Sequence, residues 1–396
     1  MTININRYKQ FFTPIKYSQI LVEKAFFYTN SPQKIIDLTM GEASLLIEGF
    51  KIYQKSNFFG NDIDLDCCNK VKNSDYPIKF YNKDIFLNSS INYLISDVGK
   101  VDICLGNPPF HLINQTKDTV KVLNSYSLEK YSENIHIPAE VLFILQALKI
   151  IKKNGILATI LPDGFFVNNT LKEFRKFIIE KYEVLEIIEL PHEIFQYTKA
   201  KTHILILKNN ISTSHKIKLS DIYNNLITID KKEAMYRMDY SFYKNNDTLS
   251  LYKKLSDYNN IQIFRGKPKF MLKDIKETWI LHTTNFRKED IFTSPLKTKK
   301  QIKEYEGRIA SINDIVIPRV GTNILGKVGV VKSGYFVATD CVFIIRTNND
   351  KDRENILYTL ESEFGRDWIK SISKGVGARH ITLQDIANLP ILEKEI

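Results

Sequence analysis

Cysteine is scarce in this chain of 396 residues: Cys67, Cys68, Cys104 and Cys341 are all there are. Two are adjacent and two stand far off, so neither a disulfide framework nor the paired spacing of a zinc site is present. Long apolar runs are missing too. No stretch approaches the roughly 20 residues that cross a bilayer, and no secretory leader follows Met1. The chain is expected to be cytoplasmic, with no membrane partner. Internal repeats and low-complexity tracts are absent. So are the glycine fingerprints GxGxxG and GxxxxGK[ST], which argues against dinucleotide and P-loop chemistry. No acidic pair followed by lysine stands in a nuclease-like context.

What is there is a folding composition with a basic balance. Hydrophobic content of 43% and aromatic content of 12% fit a globular protein of two domains. The net charge of +11 favours an anionic partner such as nucleic acid. A lysine-rich proteome gives the same sign without meaning, so the decision falls to motifs.

The run VDICLG, residues 101–106, reads as a buried strand, and it delivers Asn107-Pro108-Pro109-Phe110 at its end. Each of the four suits chemistry on an exocyclic amine, whose nitrogen lone pair is delocalised into its ring. The Asn107 side-chain carbonyl and the Pro108 backbone carbonyl can accept the two N–H bonds and draw that nitrogen toward a tetrahedral, nucleophilic state. Pro109 stiffens the loop, and Phe110 offers a flat face to a base lifted from its stack. The plainer reading is a common Asn-Pro turn.

The flanking chain supplies context. Residues 7–25 place Thr13-Pro14 ahead of an amphipathic helix, with Thr13 as cap and Pro14 in first position, or with Thr13 pointing at a ligand carboxylate. Residues 34–50 read as strand, turn at Gly41 and helix, a unit where nucleotide-like ligands meet a helix start. A second strand ends at Asp62, placed to accept from ribose hydroxyls. A third ends at Asp84, placed to accept from an adenine amine. Singly these acids are ordinary strand-end residues; three in succession before NPPF are not. Alternating helices and strands continue to residue 208, so one predominantly parallel sheet is expected. The loop before the last strand holds Phe195, as core plug or stacking platform, with Lys199 nearby.

The order FFTP, IIDLTMGEASLL, FFGNDID, YNKDIF, CLGNPPF, LFILQALKIIKKNG, EIFQYTKAKTHILIL resembles the γ class of N6-adenine DNA methyltransferases of restriction systems. The resemblance covers residues 7–208. It implies an α/β fold: a Rossmann-like S-adenosylmethionine-binding domain with a mixed, mostly parallel seven-stranded sheet, and a smaller α+β target-recognition domain. Carried over residue by residue, Thr13, Asp37, Gly41, Asp62, Ile63, Asp84 and Ile85 look like cofactor contacts, with Phe143 lining that pocket. Asn107 and Pro108 look like the amine acceptors, and Phe110 and Phe195 like the faces that stack on a flipped adenine. One departure stands in the first motif, where Leu38 and Ala43 replace the family's proline and second glycine.

The domains are expected at 1–210 (catalytic), 211–245 (a polar linker) and 246–396 (target recognition). Residues 308–346 and 367–391 resemble the recognition domains of this class and of type I specificity subunits. Arg319, Asn323, Lys327, Lys374, Arg379 and His380 are the candidate DNA contacts, on glycine-rich loops where side chains reach out. The reading is therefore an adenine-N6 methyltransferase acting on double-stranded DNA, with a possible cognate restriction endonuclease acting separately on the same site. The alternatives are a methyltransferase for RNA or for a protein glutamine, and a DNA-binding protein whose catalytic half has decayed.

Overall fold

Strands buried on both faces read as unbroken apolar runs, and in the computed structural model those runs do pair with one another. The structure describes residues 13–191, 194–195, 201–244, 252–287, 290–321, 323–375 and 378–394. The chain divides into two units, Met1–Tyr240 and Ser241–Ile396.

In the first unit the elements run α1 (Ile15–Phe27), β1 (Lys34–Asp37), α2 (Ser44–Ile52), β2 (Asn57–Asp62), α3 (Leu65–Lys72), β3 (Ile78–Asn82), α4 (Asn88–Val98) and β4 (Val101–Gly106). Next come β5 (Leu112–Asn114), α5 (Lys117–Asn124), β6 (His136–Pro138), α6 (Ala139–Ile150) and β7 (Ile151–Pro162). The unit closes with α7 (Lys172–Lys181), β8 (Glu183–Glu189), β9 (Thr202–Lys208), β10 (Lys216–Asp221) and β11 (Leu226–Asp230). One sheet holds nine of these strands in the order β11-β10-β8-β9-β7-β4-β1-β2-β3. The five from β3 to β7 are mutually parallel, and β9 runs against both its neighbours. Loops after β1, β2, β3, β4 and β7 therefore leave from one edge. Helices α1, α2 and α3 share an apolar core with the sheet face bearing Ile103 and Leu105. Because side chains alternate along a strand, Gly106 belongs to the opposite face, where α6 packs with eleven of its twelve residues buried.

Two expectations are corrected. The sheet has nine strands rather than seven, and residues 211–245 are not a linker throughout. β10 pairs in parallel with β8, and β11 folds back on β10. Ile217 and Leu219 point inward between exposed lysines, and this short alternation at a sheet edge passes for a polar stretch. The tie continues past β11. Arg237, 1% exposed, grips Asp239 with Nε to Oδ1 at 2.8 Å and an Nη to Oδ2 at 2.7 Å.

The second unit is α+β. Strands β12 (Ile261–Arg265), β13 (Ile280–Leu281), β14 (Ile291–Thr293), β15 (Ile309–Ala310), β16 (Ile315–Pro318), β17 (Gly329–Ser333), β18 (Phe336–Ala338) and β19 (Val342–Thr347) form two sheets. Their orders are β12-β19-β16-β17-β14 and β13-β18-β15. Helices α8 (Asp350–Glu361) and α9 (Glu363–Ile372) close a core of Ile315, Phe343, Ile356, Trp368 and Ile369. No helix among the described residues is long and apolar enough to cross a membrane.

Removing one partner of a buried ion pair leaves the other charge uncompensated. Arg237→Leu should therefore destabilise the first unit by about 3 kcal/mol or more, measured by urea unfolding. The double change with Asp239→Leu should recover much of the loss; a single variant as stable as the parent would show the 237–239 segment to be loose.

Candidate active site

β4 ends at Gly106, and the residue there has to be glycine. A Cβ would lie 2.2 Å from Cζ of Phe143, whose ring is fully buried against this backbone. Phe143 was expected to line a ligand pocket. Instead it supports the strand end from below, because α6 presses it onto the one position without a side chain.

Asn107 follows immediately. Its Nδ2 donates to the Thr13 hydroxyl at 3.0 Å, across 94 residues of sequence. That bond orients the amide, turning its carbonyl end away from Thr13. Thr13 is thus neither the cap of α1 nor ahead of a proline in first position. Pro14 itself is the N-cap residue, the helix begins at Ile15, and no side chain caps it. Pro108 is buried and Pro109 and Phe110 are half-buried. Phe195, 3% exposed, belongs to the apolar core and meets Phe110 edge to face, with ring centroids 6.2 Å apart and planes at 81°. The two expected stacking faces are brought together, and they touch each other.

The loops after β1, β2 and β3 are stapled side by side. Asp37 accepts from the Thr39 N–H at 2.9 Å. Gly41, at φ +52°, donates its N–H to Asp62 Oδ2 at 2.8 Å, and Asp62 Oδ1 accepts from Asp64 N–H at 2.8 Å. Asn61, wholly buried, sends Nδ2 to the carbonyls of Leu38 (3.0 Å) and Lys83 (3.1 Å), joining the first and third loops. Asp84 holds Phe86 N–H at 2.9 Å, and Gln146 Nε2 donates to Ile85 O at 3.0 Å from beneath. Ile85 is buried, whereas Ile63 is 45% exposed beside Asp62, an apolar surface among carboxylates. Ala43 sits at φ +62°, yet its methyl is 1% exposed and lies in the core, so the family's missing second glycine puts no methyl into open space. Burial, and then the charge of Asp62, push the Asp37 carboxyl up to about 8 against the opposing Thr39 N–H. Burial raises Asp62 as well, against the N–H groups of Asp64 and Gly41.

An amide-bearing loop on the fourth strand, beside three carboxylate loops on the first three, is the arrangement that a sequence comparison can be set against. Residues 4–262 match the N-6 DNA Methylase family. The chain belongs to that family.

Among curated N-6 methylase relatives, the type I restriction enzyme MpnII methylase subunit of Mycoplasma pneumoniae is 23% identical over 57% of this chain and 45% of its own length. The type II restriction enzyme and methyltransferase RM.Eco57I of Escherichia coli is 28% identical over 50% of this chain and 19% of its own. The chain thus spans less than half the length of either. The solved type IIG restriction endonuclease BpuSI superposes with a TM-score of 0.55 at 14% identity, covering 98% of this chain and 59% of the other, which is a likeness of fold.

S-adenosylmethionine is the cofactor of such methylases, and the residues present fit it. Carboxylates of Asp62 and Asp84 suit its hydroxyl and amine donors, its ammonium beside Asp37 would favour the ionised form of that carboxyl, and exposed Ile63 suits an adenine face. Sequence reasoning missed Asn61 and Gln146, single buried amides that carry no periodic signal.

Of the residues expected to meet DNA in this N-6 methylase, Arg319, Asn323, Arg379 and His380 gather with Lys327 at one end of the five-stranded sheet. Arg319 N–H donates to Cys341 O at 2.7 Å, Gly321 N–H to Arg379 O at 2.8 Å, and Val320 pairs with His380. Lys374 is a correction. It is 2% exposed and its ammonium lies 3.0 Å from Asp385 Oδ2, so it fastens the C-terminal segment and cannot reach a ligand. Lys199 lies outside the described residues.

Asp37 generates a pH test. Folded, its carboxyl keeps a proton up to about pH 8, whereas its ordinary value is 3.8. Between those values the fold binds the extra proton, so Asp37's contribution is present at low pH and is lost as pH rises toward 8. Asp37→Asn should flatten the fall in stability between pH 5 and 8 in urea melts. An unchanged slope would mean that Asp37 is already ionised in the fold at pH 5.

Proposed function

We propose that this N-6 methylase transfers a methyl group from S-adenosylmethionine to N6 of adenine in a short duplex DNA sequence, after the base is flipped out, and that it is the modification partner of a restriction system. The observation that carries the reading is the Asn107–Pro108 loop, its amide oriented by Thr13 and its backbone held by Phe143, beside carboxylate loops of the right chemistry. The names of the relatives, a type I methylase subunit and a type II restriction enzyme and methyltransferase, support the restriction setting. The net charge of +11 suits the DNA substrate.

When bound, S-adenosylmethionine supplies an electrophilic methyl on a sulfonium. The chain's own residues do the rest. Asp37, Asp62, Asp84 and Ile63 hold the cofactor. The Asn107 side-chain carbonyl and the Pro108 carbonyl accept the adenine amine's two N–H bonds, which localises the nitrogen lone pair for attack. Phe110 and Phe195 grip the base by its faces. Orientation and a neutral leaving group provide the rate, so no strong general base is needed. The second unit reads the sequence through its basic loop end, with the restriction endonuclease acting separately at the same sequence.

Expression in a host without adenine methylation, followed by modification-sensitive sequencing, tests this. Methyladenine at one short recurring sequence is the expected result. A blank genome from protein that binds S-adenosylmethionine would redirect the reading to RNA or a protein glutamine; loss of cofactor binding as well would favour a decayed DNA-binding protein.

Asn107→Ala should lower turnover about a hundredfold or more while calorimetric cofactor binding stays nearly unchanged. Thr13→Val keeps the shape and removes the orienting acceptor, so turnover should fall roughly three- to tenfold, as tritiated methyl transfer to DNA would show. Equal turnover by Thr13→Val and parent would mean that Asn107 needs no partner.

A further inference from the structure

The loops at the basic end of the five-stranded sheet enclose a pocket of about 630 Å³ lined by His282, Thr283, Arg287, Asn323, Lys327 and Cys341, among others. Three of these, His282, Thr283 and Arg287, come from the connection between β13 and β14, which sequence reasoning left unassigned. Most charges nearby are already engaged. Asp340 lies 3.3 Å from Arg265 and 4.0 Å from Arg319. Arg287 and Lys327 make no ion pair with any described residue. Lys327 is tethered, its ammonium donating to Phe286 O at 2.8 Å. Arg287 is exposed, with its fork of five donors uncommitted to any carboxylate among the described residues.

The neutral groups beside these two cations decide between two parts of a DNA duplex. A backbone phosphate asks for cations and donors only. A base edge asks for donors and acceptors in fixed array, and this pocket supplies them. The His282 ring is fixed by Nδ1 against the Thr339 hydroxyl at 2.8 Å, and its backbone N–H donates to Asn285 Oδ1 at 2.8 Å. Burial first, and then the Lys269 ammonium, hold the His282 imidazole below its ordinary range. With Nδ1 taken by Thr339, Nε2 is the ring atom left to face a ligand, as donor or acceptor according to the tautomer. Asn323 and Thr283 add an amide and a hydroxyl of the same mixed kind.

We propose that the rim of this pocket enters the major groove at one base pair of the recognition sequence, and that Arg287, exposed on that rim, is the side chain that selects the base. A guanidinium fork matches the two acceptors of guanine, and Lys327, tethered at the rim, meets a neighbouring phosphate. The assignment rests on the DNA-methylation reading above and adds the residues that set its sequence.

The test compares methylated genomes from the full chain and from Arg287→Ala, Arg287→Lys and Lys327→Ala, alongside DNA affinity at several salt concentrations. Arg287→Ala should relax one position of the methylated sequence, with discrimination there falling about 5- to 150-fold. Arg287→Lys should relax the same position, because it keeps the charge and loses the fork; it also serves if the alanine variant folds poorly. Lys327→Ala should weaken binding evenly across sequences and make the salt slope shallower by about one. An unchanged sequence in both Arg287 variants, with evenly weakened binding, would overturn the assignment and make Arg287 a phosphate contact. A parental genome without methyladenine would refute the methylation reading itself, and this assignment with it.

Discussion

Backbone that leaves a buried sheet keeps its polar groups, and where water cannot reach them the protein must supply partners. At the carboxyl edge of this sheet the partners are side chains from neighbouring loops. Asp62 takes the Gly41 N–H, Asn61 reaches the carbonyls of Leu38 and Lys83, and Gln146 holds the carbonyl of Ile85. Each bond contributes only about 1 kcal/mol to stability, but leaving such a group unpaired costs about 1–3 kcal/mol. The loops therefore cannot shift singly. A site made of three strand-end carboxylates and one amide loop is rigid because satisfying its backbone and shaping its surface are done by the same atoms.

Ala43 shows what this frame tolerates. A non-glycine residue in the left-handed region costs roughly 1–2 kcal/mol. Burying one methyl group regains about 0.8 kcal/mol, and Ala43 buries its methyl fully in the core beside Leu46 and Met40. The two terms are of similar size, so alanine can replace the family's glycine at small net cost, and the residue borders the core and not the open side of the loop. Leu38 is likewise fully buried, and its carbonyl accepts from Asn61 Nδ2.

The parts of the fold that were legible in the sequence are those written locally. Buried parallel strands show as unbroken apolar runs, and Pro108-Pro109 mark a loop, so NPPF at the end of the fourth strand could be placed. The unreadable parts depend on partners remote in sequence or on patterns too short to register. Thr13 finds Asn107 at a separation of 94 residues. β10 and β11 show only a few alternations between asparagines, and Arg237 and Asp239 look like surface charges until their burial is known. Lys374 failed in the opposite direction: its charge and glycine-rich setting suggest an outward reach, but Asp385 draws it inside. A sequence displays charge; whether the charge is solvated is decided by tertiary packing.

The strand ends that precede and follow Phe195 in the chain share a buried ionic cluster. Lys201 lies 2.9 Å from Glu189, 3.8 Å from Asp163 and 4.0 Å from Asp239, and His203 Nε2 meets Asp163 at 2.9 Å. Asp163, Glu189, Lys201 and His203 stand at the ends of β7, β8 and β9, and Asp239 lies past β11. Against the effect of burial, the Lys201 and His203 partners hold the Asp163 carboxyl below its ordinary value. The Phe195 ring is almost wholly buried, whereas Phe110 sits on the half-buried side of the contact. Edge-to-face rings cannot sandwich a base. On the proposed reading one ring has to turn, and turning the fully packed ring would open a cavity, which the half-buried ring avoids. On that reading Phe110 would be the ring that turns and Phe195 the fixed wall, with the stiffness that Pro109 lends the backbone confining the turn to the Phe110 side chain.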